Sequence, residues 1–156
     1  MLSNRLILTS IAACVATACF VAGCEPGGVR EANELATHAD TDFGLDHLQR
    51  WSQDVISRYE LGRLHTIGPG QAFVIASEWD VEIAPTEVPD SLRTLSYERP
   101  VSVSLMRDSA KGKPTCVLIS YGIKGLCVGP PTFHSPRSNW YSNEVRPGIY
   151  CYFLEH

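Results

Sequence analysis

The chain has 156 residues, of which 44% are hydrophobic and 19% charged, and its formal net charge is −4. This composition is typical of a globular domain and excludes a disordered chain. The mild acidity argues against nucleic-acid binding and against polybasic attachment to membranes, because both require a basic face. We therefore expect no nucleic-acid partner.

An export signal is predicted at residues 1–23. Residues Met1–Arg5 are polar with one positive charge, and Leu6–Ala22 then run apolar and small. A charged start followed by an apolar run is the order of an export signal. The leader ends in Val21-Ala22-Gly23-Cys24, which resembles the lipobox of bacterial lipoproteins. The resemblance covers the leader only. It implies that the leader is cut before Cys24, that Cys24 is lipidated, and that the exported protein is anchored to a bacterial membrane, facing the periplasm or the exterior.

The sequence also allows other cleavage sites, or retention of the leader. Cleavage after Ala16-Thr17-Ala18 would give a soluble secreted protein. Cys14 and Cys19 also follow an alanine, but cleavage there leaves a shorter apolar run. If it is retained, Leu6–Gly23 is near the lower limit of about 17–25 residues for a membrane-spanning helix. The full Val-Ala-Gly-Cys pattern favours Cys24.

The remaining chain is predicted to be a lipidated flexible tether at residues 24–40 and one globular domain at residues 41–156. The tether contains Pro-Gly-Gly and few large apolar groups. Asp40–Asp46 superficially resembles a calcium loop, but its twelfth position is Trp51 instead of the glutamate that such loops need. No Cys-x-x-Cys or His-x-x-x-His spacing occurs, so we expect neither a metal nor a cofactor.

The domain is predicted to be α+β, with one N-terminal amphipathic helix packed on an antiparallel sheet of about four to five strands. Apolar residues recur at helical spacing in Phe43–Leu61. Thr115–Tyr121 and Leu126–Val128 flank Gly122–Gly125 as a hairpin, and Gly148–Leu154 reads as a central strand. The tail of the domain resembles small bacterial envelope proteins, and this likeness implies no activity.

Three cysteines lie in the domain. In the predicted hairpin Ser120 faces Cys127, which puts Cys116 about 13 Å away from Cys127 at the rise of a strand. A disulfide needs Cα atoms within roughly 7 Å, so this pair is disfavoured. A Cys127–Cys151 bridge is allowed if the last strand pairs beside the hairpin. The slightly favoured alternative is three small buried thiols.

Two classes of function remain for the domain. The leading one is a non-catalytic binding or structural module for an envelope protein or a wall glycan. Its candidate surface is the loop at residues 130–147, with Phe133, His134, Arg137, Trp140 and Tyr141, because exposed aromatic and arginine side chains are common binding anchors. The favoured structural alternative is that Phe133 and Trp140 fold back over one face of the sheet.

The second class is a small thiol-dependent hydrolase. It would use Cys151 or Cys127 as the nucleophile with His134 as the base, because such chemistry needs a thiolate beside an imidazole. No nucleophile motif surrounds either cysteine, and thiols in the interior of strands are usually inert. The protein is therefore expected not to be an enzyme of this kind.

Overall fold

The computed structural model describes residues 27–69, 80–93, 95, 102–109, 111–134 and 140–154. The predicted signal peptide, the lipobox with Cys24, and Arg137 lie outside these ranges. Within them the protein is α+β, which confirms the predicted class. Its helices are α1 (Gly27–Asp42), α2 (Leu45–Glu60) and α3 (Asp90–Arg93), and its strands are β1 (Thr66–Pro69), β2 (Val81–Ile83), β3 (Ser102–Arg107), β4 (Pro114–Tyr121), β5 (Lys124–Val128), β6 (Tyr141–Arg146) and β7 (Ile149–Phe153).

The seven strands form one antiparallel sheet in the order β1-β2-β3-β4-β5-β7-β6. The predicted number of four to five strands is therefore too low. The edge strand β6 lies in the predicted loop at residues 130–147, and the edge strand β1 lies in a segment for which no strand was predicted. An edge strand lacks a buried partner on one side, so its sequence need not carry the apolar pattern of a central strand.

Helix α2 corresponds to the predicted amphipathic helix. Leu48 and Val55 on its sheet-facing side have no exposed surface. The helix begins after Gly44, and Gly62 follows its C-cap with a φ of +66°. Only glycine adopts this conformation without strain, and it is a common way to end a helix. The end of α2 at Glu60 agrees with the predicted helical segment Phe43–Leu61.

Helix α1 differs from the flexible tether predicted at residues 24–40. It packs against β5, β6 and β7. Its buried residues fall on one side at helical spacing, but three of the five are alanines: Val29, Ala32, Leu35, Ala36 and Ala39. Small side chains let a helix approach a sheet closely, and alanine has the highest helix propensity. Residues 27–40, which were predicted to be part of the tether, are therefore folded against the sheet.

The sheet is covered on both faces. The three helices bury one face, which carries Val117, Ile119, Leu126 and Cys151. The opposite face carries Cys116, Leu118, Cys127, Tyr150 and Tyr152, and the side chains of Phe133, Trp140 and Leu154 pack on it.

The sheet also has two ends, which β4 connects. At the end that we call the hairpin end, Tyr121 is paired with Lys124 across the β4–β5 turn, and Lys124 is paired with Phe153. Pro114 lies at the other end, which we call the groove end. Seven residue steps of β4 separate the two ends by about 24 Å. None of the helices within the described ranges has the length and apolar character needed to cross a membrane.

Candidate functional site

The β4–β5 hairpin is tighter than predicted. Gly122, with a φ of +74°, and Ile123 form a two-residue turn, so Leu118 and not Ser120 faces Cys127. Glycine at the first central position is the requirement of a type II′ turn. The shift by two residues brings Cys116 diagonally across from Cys127 on the same face. Cys116 and Cys127 nevertheless form no disulfide, and both thiols are buried.

The Cys127–Cys151 bridge that the sequence allowed is absent, because the two thiols point to opposite faces of the sheet. Cys127 is opposite Tyr150 in the β5–β7 ladder, whereas Cys151 is opposite Leu126. Residues that lie directly opposite each other share a face, and neighbouring residues of one strand do not. The slightly favoured alternative, three small buried thiols, describes the structure.

The environment of Cys151 disfavours thiolate chemistry. Its thiol, with a single proton to donate, lies within hydrogen-bond distance of two acceptors, Asn33 Oδ1 (3.4 Å) and the Asn143 carbonyl oxygen (3.6 Å). Burial raises the pKa of Cys151 above its ordinary value, which lowers the thiolate fraction at neutral pH. His134 is exposed beyond the end of β5, among residues that line an open groove. The structure therefore does not place His134 beside Cys151.

Cys127 offers no better nucleophile. It has no exposed surface and belongs to the apolar cluster on the face opposite the helices. The side chain of His134 is exposed to solvent. A base in solvent and a fully buried thiol do not form the accessible pair that a hydrolase needs.

Two of the predicted binding aromatics cover the sheet. The Phe133 ring meets the Tyr150 ring edge-on, with centroids 5.7 Å apart, and the Trp140 ring lies 4.8 Å from that of Tyr152. Tyr141, at the start of β6, is exposed at 45%. The binding residues predicted in this loop therefore do not form one surface. Phe133 lies towards the groove end of the sheet, whereas Trp140 and Tyr141 lie at the hairpin end.

Tyr152 anchors the side chains that pack on the sheet face opposite the helices. Its hydroxyl is 2.7 Å from Ser120 Oγ, and burial raises its pKa well above the ordinary range. Gly125 lies beneath the Tyr152 ring, where any side chain would meet the Tyr152 hydroxyl and the Ile119 carbonyl oxygen. The phenol is therefore a structural group and remains protonated at physiological pH.

An open groove lies at the opposite end of the sheet. It consists of two adjoining cavities of about 420 and 480 Å³ that share Pro114, and each has the size of a small-ligand site. The lining residues come from α2, the β3–β4 connection and the segment after β5. They are Ile56, Tyr59, Glu60, Arg107, Asp108, Lys111, Gly112, Lys113, Pro114, Thr115, Pro130, Thr132, Phe133 and His134.

Buried hydrogen bonds fix the frame of the groove. The Gln49 amide donates to the carbonyl oxygens of Gly129 (3.0 Å) and Pro147 (2.9 Å), and the Ser52 hydroxyl donates to that of Val128 (2.9 Å). These bonds hold α2 against the segments that leave β5 and enter β7. Sequence reasoning found Phe133 and His134 but missed the groove residues of α2 and the β3–β4 connection. The available signal was the charged, glycine-containing segment 107–114.

No cluster of three or more histidine, cysteine, aspartate or glutamate side chains within the described part of the chain is arranged to hold a metal ion. Comparison with known proteins gives no functional analogy, since no protein-family model, curated protein or solved structure matches the chain.

Proposed function

We propose that the protein is a lipoprotein of the bacterial envelope, anchored through Cys24, whose domain binds a wall component without catalysing a reaction. The observation that carries the proposal is the sequence Val21-Ala22-Gly23-Cys24 at the end of an apolar leader. Each buried lipid methylene contributes about 0.8 kcal/mol, so two or three acyl chains on one cysteine make a stable anchor.

The arrangement of the domain supports binding over catalysis. The candidate nucleophiles Cys127 and Cys151 are buried, and His134 is exposed away from Cys151. The groove is instead an open concave surface, where aromatic and charged side chains of three chain segments converge. Such a surface suits recognition, because aromatic rings and charges fix a ligand without reacting with it.

The charges of the groove favour an anionic ligand. Arg107, Lys111 and Lys113 line it with two acidic residues, Glu60 and Asp108. Lys113 lies 3.3 Å from Glu60 and is 85% exposed. The rings of Tyr59 and Phe133 flank the charges and offer surfaces on which a sugar ring can stack. A wall glycan that carries carboxylates matches this combination.

Replacing Cys24 with alanine tests the anchor. We expect the variant to move from the membrane fraction to the soluble fraction of the envelope, because it lacks the thiol that receives the lipid. The measurement is the distribution of the protein after fractionation, with Cys19→Ala as the matched control, which keeps the wild-type distribution. A Cys24→Ala protein that stays in membranes at the wild-type level would contradict the proposed lipid anchor.

Titration with soluble, carboxylate-bearing peptidoglycan fragments tests the groove. We expect saturable shifts of groove amide signals in NMR spectra and about tenfold weaker binding by a Lys111→Ser/Lys113→Ser variant, since two charged contacts together contribute about 1.4 kcal/mol. Arg30→Ser removes an exposed basic side chain at the hairpin end and should leave binding unchanged. Equal affinity of the wild type and the lysine variant would contradict this assignment and direct the search to a protein partner.

A further inference from the structure

The first turns of α1 lie at the hairpin end of the sheet. Gly28 packs against the Phe153 ring so closely that a side chain at Gly28 would overlap it. The Glu31 carboxylate lies 3.2 Å from Lys124 Nζ, and Phe153 is paired with Tyr141 of β6. The start of the helix, the β4–β5 turn and the start of β6 therefore share one end of the molecule.

The length of chain before α1 restricts where a lipid on Cys24 can lie. Three residue steps separate Cys24 from Gly27, and a fully extended chain covers at most about 11 Å in three steps. The groove end is about 24 Å from the hairpin end along β4. A lipid on Cys24 therefore enters the bilayer beside the hairpin end, without the long tether that the sequence predicted.

The hairpin end carries an apolar surface that suits this position. Ile123 is 38% exposed at the tip of the β4–β5 turn, and Tyr141 is 45% exposed. The half-buried side chains of Trp140 and Leu154 lie beside them, and the Leu154 N–H donates to the Ile123 carbonyl oxygen (2.8 Å). Tyrosine and tryptophan favour the boundary between lipid and water, where one side of the ring is apolar and the other wet.

Charge does not provide the attraction at this end. The described charged side chains near the start of α1 are two bases and two acids, which pair as Arg30 with Glu34 (3.5 Å) and Lys124 with Glu31 (3.2 Å). Paired charges leave no polybasic patch for anionic lipid. Attraction to a membrane must come from the burial of apolar surface.

We infer that the hairpin end is a membrane-contact surface, in which Ile123 and Tyr141 enter the headgroup region of the bilayer that holds the Cys24 lipid. This inference rests on the proposed lipidation of Cys24. It orients the domain, because the groove end then points away from the bilayer by about the length of β4, roughly 24 Å. The groove faces the wall and the membrane contact keeps it there.

The test uses the mature lipidated protein in phosphatidylcholine vesicles. A small apolar fluorophore is attached at Ile123→Cys, or in the matched protein at Leu61→Cys, which is 62% exposed and follows the groove residue Glu60. The native thiols at positions 116, 127 and 151 are buried, so labelling of the folded protein is selective.

Brominated lipids should quench the probe at position 123 at least about fivefold more than the probe at position 61, because quenching requires contact with the bilayer. Tyr141→Ser should reduce the quenching at position 123. Addition of anionic phosphatidylglycerol should leave it unchanged.

Equal quenching at positions 123 and 61, in protein that sediments with the vesicles, would overturn the contact and leave the anchor intact. Quenching at position 123 that requires anionic lipid would also overturn the apolar contact. Protein with Cys24 intact that stays in the supernatant would instead overturn the anchor, and the contact with it.

Discussion

Replacing Gly148 with alanine is expected to lower the free energy of unfolding by about 2–5 kcal/mol, through a left-handed backbone penalty of about 1–2 kcal/mol and overpacking of about 1–3 kcal/mol. Gly148 has a φ of +84°, and a Cβ atom there would collide with the Pro130 carbonyl oxygen and approach Gln49 Nε2 to 2.9 Å. The new methyl group must push apart the segments that Gln49 ties together below the groove.

Gly62→Ala is the matched control for Gly148→Ala. Gly62 has a similar φ of +66°, but no atom lies within 4 Å of the position that its Cβ would take. Only the backbone penalty of about 1–2 kcal/mol applies there. Urea denaturation of both variants measures the difference. Equal losses of stability would contradict the overpacking, because they would show that Pro130 and Gln49 move aside without a free-energy penalty.

Replacing Ala32 with aspartate is expected to lower the free energy of unfolding by at least about 3 kcal/mol, because it places a carboxylate without a charged partner between a helix and a sheet. Ala32 has no exposed surface, and aspartate is too short to carry its charge to solvent. Denaturation of the soluble domain, followed by circular dichroism, measures the loss.

Thr37→Asp adds the same charge on the exposed side of α1, where we expect a change below about 1 kcal/mol. The pair of variants separates a packed helix from a flexible tether. If the segment were a tether, Ala32→Asp and Thr37→Asp would both leave the unfolding midpoint of the domain unchanged.

The contrast between α2 and α1 shows which helix signals the sequence carries. α2 was predicted because large apolar residues such as Leu48 and Val55 mark one face. α1 was missed because its buried face is built around Ala32, Ala36 and Ala39, whose small side chains give little apolar contrast. The Pro-Gly-Gly sequence before it also resembles a linker, although the helix begins within it at Gly27.

The strands show the same contrast between segments with a strong apolar pattern and segments without one. Apolar segments such as Thr115–Tyr121 and Gly148–Leu154 correspond to the central strands β4 and β7. The edge strand β6 was hidden in a predicted loop because Ser142, Asn143 and Glu144 face solvent or the sheet edge and show no apolar alternation. The register between β4 and β5 could not be predicted from the sequence either, because Gly122–Gly125 allows a turn of two or four residues.

The site could be predicted only in part for a related reason. Phe133 and His134 lie at the groove as neighbours in sequence, but Tyr59 and Lys113 reach it from distant segments. Only the fold brings them together. Conversely, Trp140 and Tyr141 are close to Phe133 in sequence, yet they lie at the other end of the sheet.

The intact mass of the mature protein, extracted from bacterial membranes, directly tests whether the leader is removed and Cys24 is lipidated. We expect a chain that begins at Cys24 and carries a diacylglyceryl group, with or without a further acyl chain on its amino terminus. Alkaline hydrolysis should remove the ester-linked acyl chains. A mass that corresponds to an unmodified chain, or to a chain that begins at Cys19 after cleavage behind Ala18, would contradict lipidation at Cys24.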